Sequence, residues 1–274
     1  MADLADPSLI ASPFDASAAA YDESFTDSFC GRALRETVWL RIAPHLRAGM
    51  DVLDLGCGTG EDAIRLARLG CNVVAADSSA AMLKAAAAKL AGASARIRLA
   101  ELDFNRTDSG IATLGPFDFV LSNFGAANCI EDLAAFGRAL ARCVKPGGKA
   151  AIVFMGRFCA LETLYYSSRF DRRAGRRWSG KAEARLHDRS FAIRYWKVGE
   201  VKRATPAFRA LEACGIGVLL PPSHLFHLER QRPRLFAALA RWDRKVANLW
   251  PLSRMGDHTL LVLERRADVV ERRQ

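Results

Sequence analysis

Three glycines at alternate positions constrain this chain more than any other feature of its sequence. They are Gly56, Gly58 and Gly60, and the apolar run Val52–Leu55 comes directly before them. Such a run is typical of a strand that is buried on both faces. Glu61–Asp62 then opens a segment with helical spacing, where two acids suit the positive end of a helix dipole. A strand, a glycine turn and a helix in this order bring backbone amides close to a ligand.

The spacing of the glycines indicates which ligands suit the turn. Folds that bind dinucleotides use Gly-x-Gly-x-x-Gly and seat a pyrophosphate on the amino end of the helix. Here the spacing is Gly-x-Gly-x-Gly, and two carboxylates stand where a phosphate would lie. Because the carboxylates would repel an anion, the pattern favours a ligand with a cationic or zwitterionic end. A nicotinamide-linked dehydrogenase is therefore disfavoured.

Short apolar runs alternate with helical patterns as far as residue 156. The alternation predicts an α/β fold in which a parallel sheet carries helices on both faces. The predicted strands cover residues 52–55, 72–76, 97–99, 117–121 and 149–154.

Asp77 ends the second predicted strand, about 20 residues beyond the glycine turn. An acid at this position accepts hydrogen bonds from the ribose hydroxyls in nucleotide-binding folds. Asp77 also precedes Ser78 and the next helical pattern, so a helix N-cap is the alternative interpretation. The position directly after a strand favours the ribose role.

Three motifs together resemble one known family. They are the glycine turn Val52–Gly60, the Lys-Pro-Gly-Gly turn Lys145–Gly148, and Phe14–Asp22, which reads Phe-Asp-x-x-Ala-x-x-Tyr-Asp. The chain resembles the class I S-adenosylmethionine (SAM) dependent methyltransferases of small-molecule type, similar to the ubiquinone and menaquinone group, as far as about Met155. The resemblance implies SAM as cofactor. It also implies a Rossmann-like, seven-stranded, mostly parallel sheet with helices on both faces and insertions after strands five and six.

The resemblance further implies where the cofactor binds. The glycine turn would face its amino-acid end, Asp77 its ribose, and Asp103 with Phe104 its adenine. Tyr21 lies in a segment that often covers the cofactor in this family, so it is a candidate contact to cofactor or substrate. The residues expected to bind the cofactor are Asp54, Gly56, Cys57, Gly58, Gly60, Asp77, Ser78, Met82, Asp103, Phe104, Asn123 and Phe124.

The acceptor side of the site is less defined by the sequence. Candidate substrate contacts are Tyr21, Asn128, Tyr165 and Tyr166, although packing explains the last two tyrosines equally well. Candidate catalytic groups are Tyr21, His224 and His227, but an acidic hydroxyl or carboxylate acceptor needs no protein base. No metal is expected, because the seven cysteines include no Cys-x-x-Cys pair and the two histidines have no further ligands at metal spacing.

The chain is predicted to form one domain in three parts. Residues 1–50 form an N-terminal helical lid, residues 51–156 the SAM-binding core, and residues 157–274 the substrate-side insertions with the last two strands. The last part is predicted to hold a hairpin within Ala184–Trp196, a helix within Val198–Cys214, a sixth strand at Ile216–Leu220, a mostly helical stretch at Leu225–Trp250 and a seventh strand at Thr259–Leu263.

Charge divides unevenly along the chain. The net charge is +10 overall. Residues 1–156 hold 15 basic and 18 acidic side chains, a net of −3, whereas residues 157–274 hold 25 and 12, a net of +13. Such asymmetry indicates a nucleic-acid or membrane partner, an acidic substrate, or an arginine-rich solvated surface, and the scattered arginines favour the last interpretation.

The predicted function is methyl transfer from SAM to an O, N or C atom of a small hydrophobic or anionic molecule. The alternatives are a tRNA or rRNA methyltransferase that uses the basic half, and a SAM-binding protein without transferase activity. Ser122–Gly125 lacks the Asn/Asp-Pro-Pro-aromatic tetrad of amino-methylating nucleic-acid enzymes, which makes a nucleic-acid acceptor the weaker choice. Without an apolar run of 18 residues no transmembrane helix is expected, and the N-terminus resembles neither a secretory signal nor a transit peptide. Seven cysteines without a Cys-x-x-Cys pair predict reduced thiols in a cytoplasmic protein. A monomer or homodimer is expected, and weak peripheral membrane contact is left open.

Overall fold

The computed structural model describes residues 14–90, 96–103, 105, 110–186 and 189–267. Within these ranges no helix is both long and apolar enough to span a bilayer. The strands are β1 (Asp51–Leu55), β2 (Asn72–Asp77), β3 (Ile97–Glu101), β4 (Phe117–Ser122), β5 (Val144–Met155), β6 (Lys181–Leu186), β7 (Arg189–Arg194), β8 (Phe208–Ile216) and β9 (His258–Arg265). The α-helices are α1 (Ala18–Tyr21), α2 (Phe29–Ile42), α3 (Glu61–Arg68), α4 (Ala80–Leu90), α5 (Gly110–Leu114), α6 (Leu133–Cys143), α7 (Ala160–Ser167), α8 (Val198–Ala204) and α9 (Pro233–Val246).

Seven of these strands form one sheet in the order β3-β2-β1-β4-β5-β9-β8. Strands β1 to β5 are parallel, and β9 runs antiparallel between β5 and β8. The predicted seven-stranded, mostly parallel sheet is therefore confirmed. Because the strand order reverses between β1 and β4, their carboxyl ends flank the crevice where open α/β sheets bind ligands.

Alternate residues of the central strands feed two separate cores. Val52 packs with α2, α3 and α9 on one face of the sheet, whereas Leu53 packs with α5, α6 and α8 on the other. Both side chains are fully buried. This two-sided burial explains why the strand reads as a continuous apolar run, since each such side chain contributes about 1.5–3 kcal/mol when it is removed from water.

The prediction for the sixth strand was wrong. A helix does lie within Val198–Cys214, but it is only α8, and the strand that follows is Phe208–Ile216 instead of Ile216–Leu220. The register of β8 against β9 shifts between Ala210 and Glu212, which leaves one extra residue on β8. A bulge of this kind interrupts the period of two, so the apolar positions resemble a helical pattern.

Two insertions complete the chain at the carboxyl edge of the sheet. The first follows β5 and contains α7, the hairpin β6–β7 and α8; the second follows β8 and contains a 3₁₀ segment, Ser223–Gln231, and then α9. These positions confirm the expected insertions after the fifth and sixth strands of the sheet.

A side chain from the second insertion caps the amino end of α2. The carboxylate of Glu229 accepts hydrogen bonds from the backbone amides of Phe29, at 3.0 Å, and Cys30, at 2.8 Å. Ser28 supplies a local cap, because its hydroxyl accepts from the Gly31 amide at 2.9 Å. A carboxylate also suits the positive end of the helix dipole. The position of α2 therefore depends on a residue 200 positions further along the chain.

We expect Glu229→Ala to lower the free energy of unfolding by about 1–2 kcal/mol, because two amides of α2 lose their acceptor. Urea unfolding followed by circular dichroism measures this change. Glu131→Ala, which removes an exposed carboxylate elsewhere, is the matched control and should cost less than about 0.5 kcal/mol. Equal stability of the two variants would contradict the capping role.

Candidate functional site

The glycine turn lies at the carboxyl end of β1, as the sequence predicts. The amides of Gly56 and Cys57 both donate to the carbonyl of Ala76, at 2.8 and 3.0 Å, which ties the turn to β2. Gly56 has a φ of 75°, and a Cβ at this position would collide with the side chain of Ala126. Only glycine satisfies both requirements, and the backbone of the turn is left accessible to a ligand.

Asp77 is joined directly to this turn. Its Oδ2 accepts from the Gly58 amide at 2.8 Å, and its Oδ1 accepts from the Ser79 amide at 2.9 Å. Burial raises the pKa of Asp77, against the hydrogen bonds from Ser79 and Gly58, which lower it. The contact to Gly58 places this carboxylate at the glycine turn. The N-cap of α4 is Ser79, because its hydroxyl accepts from the Met82 amide at 3.1 Å, so the alternative interpretation of Asp77 as the helix cap is not supported.

Asp62, at the start of α3, organises the other side of the turn. Its Oδ1 accepts from the indole of Trp39 at 2.7 Å. Its Oδ2 accepts from the amide of Asn123 at 2.9 Å and also from the guanidinium of Arg35. The carboxylate is 5 % exposed, so these donors replace water around a buried charge. The sequence predicts Asn123 as a site residue but gives no sign of Arg35 or Trp39, which are brought there by α2.

Asp54 is the second buried acid of the site. It is 1 % exposed, and its Oδ2 has no hydrogen-bond partner among the described residues. Burial, followed by the nearby charge of Asp62, raises the pKa of Asp54 well above its ordinary value. This carboxyl lies at the end of β1, beneath the glycine turn.

Phe124 adopts a backbone conformation that non-glycine residues seldom take. Its φ is 42°, and it lies two residues beyond the end of β4. The ring lies edge-on to Phe25 with 5.0 Å between centroids, and the guanidinium carbon of Arg35 is 5.3 Å from the ring centroid. Phe124 lines a cleft together with Tyr21, Arg35, the glycine turn and Asp62. Strained residues cluster at ligand sites, which agrees with its predicted role.

The N-terminal segment closes over the glycine turn. Asp22 accepts from the Thr59 hydroxyl at 2.6 Å and pairs with the Lys89 ammonium at 2.5 Å. Asp15 accepts from the Ser79 hydroxyl at 2.6 Å. These contacts hold residues 14–28 against the loop and α4. We name residues 14–28 the lid, which is a shorter segment than the lid of residues 1–50 expected from the sequence.

Tyr21 projects from the lid into the cleft, 4.0 Å from the position of a Cβ on Gly58. Burial raises the pKa of Tyr21 to about 12, with Arg35 opposing the effect. The hydroxyl therefore stays protonated at neutral pH. This state suits a hydrogen-bond donor and argues against Tyr21 as the catalytic base.

The predicted adenine side is described only in part. Asp103 is exposed, and its carboxylate accepts from the Asn105 amide at 2.9 Å. Phe104 lies outside the described residues. Met82 is buried in the first turns of α4, and Ser78 is half-buried beside Asp77.

Cys57 is half-buried within the glycine turn. Burial, with the charges of Asp54 and Asp77, raises the pKa of its thiol above the ordinary value. A neutral thiol is a poor nucleophile, so the side chain fits the turn without supplying chemistry.

Asn128 is not placed to contact a substrate. It is fully buried, and its amide donates to the carbonyls of Met155, at 3.1 Å, and Arg194, at 2.6 Å. Its oxygen accepts from the Met155 amide at 2.8 Å. Through these three hydrogen bonds the Asn128 side chain joins β5 and β7. The expectation that Asn128 contacts the substrate is therefore corrected to a structural role.

The remaining candidates, two tyrosines and two histidines, do not form one cluster in the structure. The Tyr166 hydroxyl lies 3.0 Å from His224 Nε2, and the two rings stack with 5.8 Å between centroids. Tyr165 is half-buried, with the Arg169 guanidinium 3.9 Å from its ring centroid. His227 is exposed to solvent. The structure therefore pairs His224 with Tyr166 and does not pair it with His227.

His258 precedes the last predicted strand and is not among the site residues expected from the sequence. As the first residue of the antiparallel strand β9, it lies at the carboxyl edge of the sheet opposite Met155. It is 6 % exposed, and its ring is edge-on to Phe124 with 5.5 Å between centroids. The Asp257-His258 pair before the last predicted strand was the only indication of this position in the sequence. The pair lies at the carboxyl edge of the sheet because β9 runs antiparallel to β5, and the sequence does not give that direction.

Asp257 lies behind His258 in a buried charge network. Asp257 Oδ2 is 3.1 Å from His258 Nδ1, and Arg177 bridges Asp257, at 2.5 Å, and Glu162. Burial alone would raise the pKa of Asp257, but His258 and Arg177 outweigh it and hold that pKa below its usual range. Cys159 lies with these two acids in a group compact enough for a metal, yet Arg177 already supplies the positive charge.

We expect Asp22→Ala to speed amide exchange of residues 14–28 by about tenfold, because a charge-assisted hydrogen bond contributes about 1.5–3 kcal/mol. Hydrogen–deuterium exchange with peptide resolution measures it. Glu23→Ala is the control, since Glu23 is exposed in the same turn. Unchanged exchange in Asp22→Ala would show that the lid is held by other contacts.

Comparison with known proteins begins with the glycine turn and the strands around it. A family model described as a methyltransferase domain matches residues 52–148. The demethylmenaquinone methyltransferase of Mycolicibacterium vanbaalenii is 36 % identical over 157 residues, which cover 54 % of this chain and 60 % of that protein. The protein of the same name from Mycobacterium marinum is 35 % identical over 157 residues, which cover 54 % of this chain and 59 % of that protein. The chain thus spans about three-fifths of the length of these relatives.

Solved structures show the same fold at low sequence identity. Phosphoethanolamine N-methyltransferase 2 of Haemonchus contortus, in complex with SAM, superposes with a TM-score of 0.58 at 18 % identity, over 96 % of this chain and 59 % of that one. A SAM-dependent methyltransferase from Clostridium acetobutylicum superposes with a TM-score of 0.57 at 14 % identity, over 93 % of this chain and all of that one. The family model and the relatives therefore agree with the methyltransferase resemblance of the glycine turn and the strands after it, and the solved structures show the same fold around them.

Proposed function

We propose that this chain transfers a methyl group from SAM to a small molecule. The observation that carries the proposal is the convergence of the glycine turn and the Asp62–Arg35 pair in one cleft at the carboxyl edge of the sheet, with Asp77 hydrogen-bonded to the turn. A cleft that presents both a buried cation and buried carboxylates suits a zwitterion with a sulfonium, and it does not suit a pyrophosphate.

Unpartnered buried atoms support the fit of SAM to this cleft. Arg35 Nε and Asp54 Oδ2 are buried without hydrogen-bond partners among the described residues. In our proposal, Arg35 and the amides of the glycine turn hold the amino-acid end, Asp77 accepts from the ribose hydroxyls, and Asp103 lies toward the adenine. When bound, SAM supplies an activated methyl group, so the protein mainly orients the reactants and excludes water.

We propose a hydrophobic aromatic acceptor, in keeping with the relatives whose name refers to demethylmenaquinone. Phe25 contacts both Phe124, at 5.0 Å, and Phe226, at 5.9 Å, and the His258 ring adjoins Phe124. These four rings form an apolar wall beside the cleft, with one group that can move a proton. Such a wall supports an aromatic ring as the acceptor over a nucleic-acid strand.

His258 is the catalytic base in this proposal. Its Nδ1 faces Asp257, whose position is fixed by Arg177, so the ring is oriented from behind. Its Nε2 makes no hydrogen bond to any described residue. An acceptor hydroxyl would give its proton to Nε2, and its oxygen, or the ring carbon that it activates, would form the bond to the methyl group. The S–CH3 bond would break and S-adenosylhomocysteine would leave, while Asp257 stabilises the imidazolium.

We further propose a cytoplasmic protein that acts as a monomer or homodimer. The seven cysteines are all unpaired, and five of them are buried, which supports a reducing compartment.

The first test is calorimetry of the purified chain with SAM and S-adenosylhomocysteine. We expect binding of both, and we expect Asp77→Ala to weaken it at least about tenfold, because a charged acceptor for the ribose hydroxyls is lost. Asp171→Ala is the control, since Asp171 carries a carboxylate in the first insertion and pairs only with the exposed Arg173. Absence of binding, or equal affinity of the two variants, would refute the proposal.

The second test separates chemistry from cofactor binding. With reduced demethylmenaquinone and labelled SAM, His258→Gln should lower kcat about 10²–10⁴-fold, the usual contribution of a general base, and leave SAM affinity within about twofold. The exposed His227→Gln is the control. Added imidazole should restore part of the activity of His258→Ala. A normal kcat in His258→Gln would exclude it as the base while leaving the cofactor site intact.

A further inference from the structure

The helix α9 has a buried face and a solvent-facing side that carries large apolar side chains. Its inner face buries Phe236, Ala240 and Asp243 against the rest of the protein. At 100° per residue, Leu235 and Trp242 share one outward stripe, and they are 48 % and 58 % exposed. Three residues after the helix, Leu249 and Trp250 are 54 % and 84 % exposed. A cluster of large apolar side chains that stays exposed to solvent within one segment indicates an interaction surface.

Cationic side chains lie directly beside this apolar stripe. Residues 230–256 contain seven basic side chains and one acid, Asp243. Asp243 is fully buried and accepts from the Leu219 amide at 2.7 Å, so it offers no counter-charge at the surface. Lys245 lies 4.6 Å from the ring centroid of Trp242. The basic residues are Arg230, Arg232, Arg234, Arg241, Arg244, Lys245 and Arg254, all exposed and without an ion pair among the described residues.

The exposed apolar side chains and the cations beside them together favour one class of binding partner over the others. A symmetric second copy would place one cationic surface against an identical one, which is unfavourable. A nucleic-acid strand would pair with the cations, but Leu235 and Leu249 would gain nothing from phosphates. An anionic bilayer uses every part of the surface: headgroups neutralise the cations, tryptophans lie at the headgroup level, and leucines enter the acyl boundary.

We propose that α9 and the following residues 247–254 dock this protein on the surface of a membrane that contains anionic lipids. We name this surface the basic–aromatic ridge, comprising Leu235, Trp242, Leu249 and Trp250 with the seven cations. The docking is reversible, since the segment lies in the interface without crossing it. It does not depend on methyl transfer, so it stands or falls separately from the activity proposed above.

Vesicle sedimentation with the full-length chain tests the proposal. We expect binding to vesicles of phosphatidylcholine mixed with phosphatidylglycerol, and little or none to phosphatidylcholine alone. Added salt should weaken the binding, because the attraction of the cations is screened. Equal binding to both kinds of vesicle, no binding to either, or binding of RNA in place of vesicles would overturn it.

Matched variants locate the contact. The double variant Arg241→Gln/Lys245→Gln should weaken vesicle binding by roughly tenfold or more, whereas Arg138→Gln/Arg142→Gln, with the same spacing on the exposed face of α6, should not. Trp242→Ala/Trp250→Ala should have a similar effect, and Trp178→Ala, at another exposed tryptophan, should not. Thermal melting and affinity for S-adenosylhomocysteine confirm that each variant is folded. Equal losses in the control variants would refute the assignment to this ridge.

Discussion

The arrangement of the whole site depends on one buried charge, the carboxylate of Asp62. A carboxylate in the protein interior is tolerated only when donors replace its water shell. Trp39 and Arg35 come from α2 and Asn123 from the end of β4, so the same interaction joins the N-terminal region, the glycine turn and the crevice of the sheet. Loss of this acid would leave a buried guanidinium without its counter-charge, at a greater cost than an apolar cavity.

Local sequence signals predict the first half of the molecule well. The glycine turn, Asp77 and the alternation of strands and helices each depend on residues near one another in the chain, and their positions follow from strand and turn geometry alone. The error at β8 has a local cause too, since the bulge after Ala210 disguises a strand as a helix.

The remaining site residues depend on contacts that short-range patterns do not carry. Arg35 and Trp39 reach Asp62 across more than twenty residues, and His258 reaches Phe124 only because β9 runs antiparallel to its neighbours. Asn128 shows the opposite failure. Its position after β4 suggested a ligand contact, yet the nearby backbone groups of β5 and β7 use all of its hydrogen bonds. A polar residue near a site serves the scaffold whenever buried backbone groups need a partner.

The cap on α2 separates the lid from the helix that follows it. The lid ends where α2 begins, and Glu229 fixes the first amides of that helix to the second insertion. Arg35 and Trp39 are therefore held by the second insertion as well as by Asp62. Phe25 belongs to the lid and contacts both Phe124 and Phe226, so the lid forms part of the apolar wall beside the cleft. A displacement of residues 14–28 would expose the glycine turn and open that wall in a single movement.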